Sequence, residues 1–431
     1  MNRKRYNKSG IKGIPAVCVI LTMLVCCGIM AGCSVDTVPV SDTQTAYQGE
    51  ADSTDTASSQ EEGYLSKDIC VIPKKKNIAT DAAITADAAL LIDDTRNKAL
   101  YAQNIYTSEY PASVSKIATA LMTFKYAKFD DTVTISYNAS HVTEPGARLC
   151  GFKEGDKISV KDLLYGMMVY SGNDAAVALA EHISGSEDAF VEKMNSRAKE
   201  LGMNDTVFKN CNGLDEEGHI TSAYDVALMS RELTKHEKIF DYTSIWLDNL
   251  RGGKTQIVNT NKLLKTYNGI TGLKTGTTND AGCCMSATAT RGEVSLISVV
   301  LGCKTGKERF ADAAALLDYG FANVSVKELT LPEDMPKSIE VNGGMTDSVK
   351  LECKVSSKIV VDKGNGAKIT TEIDLPDKID APVEKNRKIG TLTYLVNSKK
   401  VQSFDICAGD SVQKTSFGAL LEYVFASLIS L

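Results

Sequence analysis

The chain has 431 residues, of which 43% are apolar, and a net charge of −6, a size for two or three ordinary globular domains. No basic stripe offers the electrostatic footprint that a phosphate backbone requires, so a nucleic-acid partner is excluded.

At the start, Arg3, Lys4, Arg5, Lys8 and Lys12 precede an apolar run from Ile14 to Met30, the charge and hydropathy pattern of an export signal over residues 1–33. The protein is therefore expected outside the cytoplasm. The run ends Met30-Ala31-Gly32-Cys33, which resembles a bacterial lipobox with Met where Leu is usual, and makes Cys33 the candidate lipidation site; ordinary cleavage nearby or an uncleaved anchor are the alternatives. Residues 34–75 are rich in Ser, Thr, Asp and Glu and bury too little apolar surface to fold, so they read as a disordered tether. Eight cysteines remain beyond Cys33, none in a C-x-x-C pair with zinc spacing, and they are expected to be mostly buried free thiols.

Order is expected from residue 76. Ala88–Ile92, an Asp93–Asn97 turn and a strand through Leu100-Tyr101 form a hairpin. A helix beginning at Pro111 carries Val114, Ile117, Ala118, Leu121 and Met122 on one side. Val160, Leu163, Leu164, Met167 and Met168 repeat with helical spacing, as do Phe190, Val191, Met194, Ala198 and Leu201, and between these runs Tyr170-Ser171-Gly172-Asn173 interrupts the pattern. The period then turns to strands at Ile270–Thr278, Cys284–Thr290 and Val294–Leu301, followed by a helix through Phe310, Ala313, Ala314 and Leu317. An antiparallel sheet flanked by helices follows from this order for residues 76–325. Residues 326–410 alternate in short segments and predict a small β-sandwich. Phe417, Leu420, Leu421, Val424, Phe425, Leu428 and Ile429 then make an amphipathic helix over 414–431, too short and polar for a membrane span, that lies in the membrane interface or packs on the β-domain.

Three residue sets carry the chemistry. Ser113 and Lys116 are one helical turn apart, which puts an amine beside a hydroxyl. A lysine serves as base only when burial or a neighbouring cation lowers its pKa by roughly 2–3 units, and Lys274 is the candidate for that cation. Ser171 and Asn173, in the break between helices, are expected to relay a proton toward a leaving amine and to orient Lys116 and a substrate carbonyl. Lys274-Thr275-Gly276 lies on a strand: the first two hold a substrate carboxylate, and Gly276 leaves room for an extended peptide along that edge. The N–H groups of Ser113 and Thr277 are the candidate oxyanion donors. Each set alone is weak, since S-x-x-K recurs at Ser9, Ser196 and Ser411 and a second K-T-G sits at Lys304; their order on a helix start, a loop and a strand is what gives them weight. Neither a G-x-S-x-G elbow nor an H-E-x-x-H set occurs, which argues against a Ser-His-Asp hydrolase and a zinc peptidase. Gly302–Lys307 reads as a turn after a strand, being one residue short of a phosphate loop.

These sets and the stretches around them resemble the D-alanyl-D-alanine carboxypeptidases, the low-molecular-mass penicillin-binding proteins. Pro111-Ala112-Ser113, Tyr170–Ala175, Asn212-Gly213-Leu214-Asp215, Thr221–Asp225, Gly272–Thr277, Ala381-Pro382-Val383 and Ile389-Gly390 look like signatures of that family, in its order, over residues 83–430. The resemblance implies an α/β (α+β) serine β-lactamase/DD-peptidase-like domain, and a serine carboxypeptidase that removes the terminal D-Ala from peptidoglycan stem peptides through an acyl-enzyme on Ser113. It implies beta-lactams as inhibitors, Arg309 beside Lys274 and Thr275 on the substrate carboxylate, no metal or organic cofactor, and attachment to the outer face of the cytoplasmic membrane. A serine β-lactamase, with Glu200 and Asn204 as an E-x-x-x-N match, and an inactive wall-binding lipoprotein are the competing readings. Glu200-Leu201 look like the end of a helix capped by Gly202.

Overall fold

The computed structural model describes residues 83–418, apart from 254 and 365–366, together with 63–65, 69–71, 78, 420, 421 and 425. The export segment, Cys33, and Val424, Leu428 and Ile429 of the closing apolar stripe lie outside these residues. Within the stretch expected as a tether, Gly63–Leu65 and Ile69–Val71 pair antiparallel.

Five strands form the central sheet: β1 (Ala88–Asp93), β2 (Lys98–Gln103), β3 (Ile270–Thr278), β4 (Gly282–Arg291) and β5 (Val294–Cys303). Their order is β2-β1-β5-β4-β3, antiparallel throughout, which leaves β3 at an edge. The central strands β1 and β5 read as nearly continuous apolar runs because both faces are covered. Leu90, Ile92, Ile297, Val299 and Leu301 point into a core shared with the helical insertion, whereas Ala89, Leu91, Leu296 and Val300 point the other way, as the two-residue period of a strand requires.

The insertion supplies α1 (Lys116–Tyr126), α2 (Val160–Val169), α3 (Asn173–Ser184), α4 (Glu187–Glu200) and α5 (Ala223–Thr234). Helix starts follow side-chain capping: Ser159, Ser186 and Ser222 each accept a backbone N–H from the first turn, satisfying a donor that the helix leaves open. The opposite face of the sheet is covered by α6 (Gly306–Asn323). Its N-cap Thr305 forms a reciprocal capping box with Glu308, so the segment that superficially resembles a phosphate loop is the end of β5 and a helix cap.

A second core lies in the C-terminal part, around Leu329, Val341, Val349, Leu392, Tyr394 and Ile406. It is all β. Here β6 (Val324–Glu328), β7 (Ser338–Asn342), β8 (Ser348–Cys353), β9 (Lys358–Asp362), β10 (Ile369–Asp374), β11 (Lys378–Asp380), β12 (Lys388–Val396) and β13 (Lys399–Ala408) form a six-stranded sheet in the order β10-β12-β13-β8-β7-β11 and a separate β6-β9 pair. The alternation of β8, buried at every second residue, is the signature of a strand with one wet face. Asp362 on β9 accepts Arg96 at 2.7 Å and Lys98 at 2.8 Å from the β1–β2 hairpin. Seven described cysteines are free thiols, six of them buried. No helix among the described residues is long and apolar enough to cross a membrane.

Candidate active site

A cleft of about 720 Å³ opens between the edge strand β3 and the helical insertion, with Ser113, Ser171, Asn173, Thr275, Gly276, Thr277 and Arg309 in its lining. Ser113 lies in a 3-10 turn, Ala112–Ser115, that runs directly into α1. The tighter turn still brings Lys116 over Ser113: Lys116 Nζ lies 2.9 Å from Ser113 Oγ, 2.7 Å from Asn173 Oδ1 and 2.5 Å from the carbonyl oxygen of Asn212. Two of these three partners are oxygens that only accept. A neutral amine has two N–H groups and one lone pair, so it satisfies both carbonyls and still accepts the Ser113 hydroxyl proton.

Lys116 is fully buried, and burial lowers its pKa to about 7, the poise of a base at neutral pH. Nearby acidic groups, Cys211 foremost, push the other way and are outweighed. Of the two means expected, burial or a neighbouring cation at Lys274, the first dominates. Burial is the dominant cause for Lys116, and Lys274 is itself held well below the usual lysine range by burial, with Lys116, Arg309 and Arg148 adding repulsion.

Asn173 opens α3, with Gly172 as N-cap. Its amide is oriented by its partners: Oδ1 accepts from Lys116, and Nδ2 donates to the Arg148 carbonyl at 3.2 Å. Ser171 adopts φ 69°, in the left-handed region that costs a non-glycine residue of order 1–3 kcal/mol, and its Oγ accepts from Lys274 Nζ at 3.0 Å. Lys274 also donates to the Thr275 carbonyl at 2.7 Å. Arg309, on the first turn of α6, donates from Nη1 to the Gly276 carbonyl at 2.7 Å and to Thr277 Oγ1 at 2.8 Å. Its Nε is buried with no partner.

Beside the peptide clearance expected of it, Gly276 has a packing reason to lack a side chain. A Cβ there would lie 2.8 Å from the Ser113 nitrogen and 2.8 Å from the Ala112 Cβ, so a side chain would push the Ser113 turn off the strand. The missing Cβ is what lets the hydroxyl-bearing turn seat against the K-T-G edge.

Most of the described chain matches known proteins. Residues 75–305 match the D-alanyl-D-alanine carboxypeptidase family and residues 327–414 the penicillin-binding protein 5 C-terminal domain. The D-alanyl-D-alanine carboxypeptidase DacF of Bacillus subtilis is 36% identical over 352 residues, 80% of this chain and 90% of that one. The chain belongs to the D-alanyl-D-alanine carboxypeptidase family. It is a serine peptidase and a penicillin-binding protein, acting outside the cytoplasm. Penicillin-binding protein 5 of Haemophilus influenzae superposes with a TM-score of 0.58 at 31% identity, covering 78% of this chain and all of that one. Penicillin-binding protein D2 of Listeria monocytogenes, in a cefotaxime-bound form, superposes with a TM-score of 0.52 at 32% identity over 56% of this chain and all of that one.

In this carboxypeptidase, Ser113, Ser171, Asn173, Thr275, Gly276, Thr277 and Arg309 line one cleft, and the buried Lys116 and Lys274 are hydrogen-bonded to them from beneath. Three contributors were not singled out as site residues. Asn212 gives its backbone carbonyl to Lys116, Thr260 Oγ1 accepts from Thr275 Oγ1 at 2.7 Å, and Asp174 accepts the backbone N–H groups of Cys150 and Gly151, both at 2.9 Å. The Asn212-Gly213 and Asn173-Asp174 runs were the available signals; nothing in the sequence marks Thr260. His219 also stands behind the motif: Nε2 is 3.0 Å from Ser115 Oγ, and burial lowers its pKa to about 4, so it is neutral and faces away from the chemistry. Glu200 is exposed and pairs with Arg197 at 2.8 Å, outside the cleft lining. The deacylating carboxylate of the β-lactamase reading is thus absent from that position.

Proposed function

We propose that Ser113 is the nucleophile, Lys116 its base, and a peptidoglycan stem peptide ending in D-Ala-D-Ala the substrate. The observation that carries this is the buried Lys116 amine, whose two carbonyl partners leave its lone pair for the Ser113 hydroxyl. Lys116 takes the proton as Ser113 Oγ bonds to the carbonyl carbon of the penultimate D-Ala. The N–H groups of Ser113 and Thr277 receive the oxyanion. As the C–N bond breaks, Ser171, hydrogen-bonded to Lys274, gives its hydroxyl proton to the departing amine of the last D-Ala and takes up the proton held by Lys116, which becomes neutral again. Water then attacks the ester, with Lys116 again as base, and frees Ser113. Lys274, Thr275 and Arg309 hold the terminal carboxylate; the place of Thr275 and Arg309 in the cleft lining supports this role.

Beta-lactams would acylate the same serine, as the cefotaxime-bound form of the Listeria relative suggests by analogy. The export segment and the Met30–Cys33 run support lipidation at Cys33, with residues 34–75 spacing the body from the outer face of the cytoplasmic membrane. Phe417, Leu420, Leu421 and Phe425, all exposed, support a second membrane contact at the C-terminal end. Mass spectrometry after penicillin treatment tests both assignments. The expected result is one penicilloyl adduct on the peptide containing Ser113, lost in Ser113→Ala, and a diacylglyceryl mass at Cys33. An adduct elsewhere, or one retained in Ser113→Ala, refutes the nucleophile.

A further inference from the structure

Holding one terminal carboxylate does not account for the charge of the cleft. Its lining includes four cations, Arg148, Lys262, Lys307 and Arg309, and no aspartate or glutamate, in a chain whose net charge is −6. Arg309 is placed beside Thr277. Arg148 stands on the opposite wall, next to Ser171 and Asn173.

Although its side chain is exposed, Arg148 is held at its backbone. Its carbonyl accepts the Asn173 backbone N–H at 2.8 Å and Asn173 Nδ2 at 3.2 Å. The following residues are tied down by the Asp174 carboxylate, which accepts N–H groups from Cys150, Gly151 and Phe152 at 2.9, 2.9 and 3.3 Å. The guanidinium lies over the Tyr170 ring, 5.5 Å from its centroid. Among the described residues no carboxylate pairs with it, whereas Arg96, Arg197 and Arg231 each have one within 2.8 Å. An arginine with a fixed base, an aromatic ring under its guanidinium and no carboxylate partner is already arranged for an anion and loses little freedom on binding one.

A peptide extended along the β3 edge, with its terminal carboxylate at Lys274 and Arg309 and its scissile carbonyl at Ser113, runs onward beside the Ser171–Asn173 wall. The residue before D-Ala-D-Ala then stands about 3.4 Å further along for each residue, within reach of the Arg148 side chain. We infer that Arg148 recognises a second carboxylate, carried by the side chain of the residue preceding D-Ala-D-Ala, and makes the enzyme selective for acidic over amidated or amine-bearing stem peptides. This rests on the assignment of Ser113 as nucleophile.

The test measures kcat and KM for D-Ala release from Nα-acetyl-X-D-Ala-D-Ala with X as glutamate, glutamine or lysine, at low and at 0.5 M salt. The expected preference for glutamate over glutamine is about fivefold to tenfold in kcat/KM, the worth of a partly solvated charge-assisted pair. It should reside in KM, shrink toward unity at 0.5 M salt, disappear in Arg148→Ala and partly persist in Arg148→Lys. Equal turnover of the glutamate and glutamine peptides by the wild-type enzyme, or a preference that survives Arg148→Ala, overturns the inference while leaving the nucleophile assignment intact. Absence of D-Ala release from all three peptides, together with no penicilloyl adduct on Ser113, overturns both.

Discussion

Two turns of this molecule share the same S-x-x-K spacing and have opposite fates. Ser113 and Lys116 sit where a 3-10 turn meets α1, and Lys116 is buried among Ser113, Asn173 and Asn212. Ser196 and Lys199 lie within α4, both exposed, and Ser196 Oγ donates to the Glu192 carbonyl one turn back. A spacing of three residues therefore makes a pair geometrically available, and only burial turns its lysine into a base.

The largest consequence concerns the amine. Lys116→Ala is expected to lower kcat/KM for D-Ala release by at least about 10³-fold, within the range of a lost general base, whereas Ser196→Ala with Lys199→Ala should leave steady-state kinetics within about twofold. Comparable losses at the two sites would erase the distinction drawn here. A second effect, of order 10²-fold, is expected from Gly276→Ala. Its Cβ meets the backbone nitrogen of Ser113 at 2.8 Å, and a displacement approaching an ångström at a nucleophile carries a penalty of that size. The same variant should slow penicillin acylation in stopped-flow measurements; unimpaired acylation would show that the turn tolerates the shift.

The pH profile sharpens the comparison further. With Lys116 near pKa 7, its neutral, reactive fraction rises through neutrality, so acylation by penicillin should fall about tenfold for each pH unit below 7 and level off above it. A flat profile from pH 5 to 8 would remove Lys116 as the titrating base. The smallest effect is on stability. The folded-state pKa of His219 lies near 4, below the ordinary histidine value near 6.5. Between those values the unfolded chain binds the extra proton, so this residue costs stability progressively as pH falls from about 6.5 to 4. Asp225, raised to about 6 by burial, acts in the opposite direction over part of that window, because its folded form keeps a proton that the unfolded form has lost. Urea melts of wild type and His219→Gln at pH 7 and pH 5 should show the variant losing less stability on acidification.

Much of the architecture was legible because its strands and helices announce themselves by period. The two-residue alternation of β8 and the 3.6-residue repeat of α2 follow from which face is wet. β3 spans Ile270–Thr278, the bounds at which the helical period gives way in the sequence. Strands such as Ser338–Asn342 and Lys378–Asp380 carry too few apolar residues to stand out, and are strands because neighbours pair with them. In the site, side chains with a chemical name were found from their motifs. Contributions made through the backbone, such as the Asn212 carbonyl, or through contact at a distance, such as Thr260, had no residue type to betray them.

The linear order of amino acids decided that a hydroxyl and an amine would share one turn, that polar residues would break the helices at 171–173, and that a strand would carry Lys274. Tertiary structure decided the protonation state of Lys116, because desolvation depends on what the rest of the chain packs around an amine. It also gave Gly276 its role, since the closeness of two segments separated by more than 160 residues of chain is a property of packing and not of either segment.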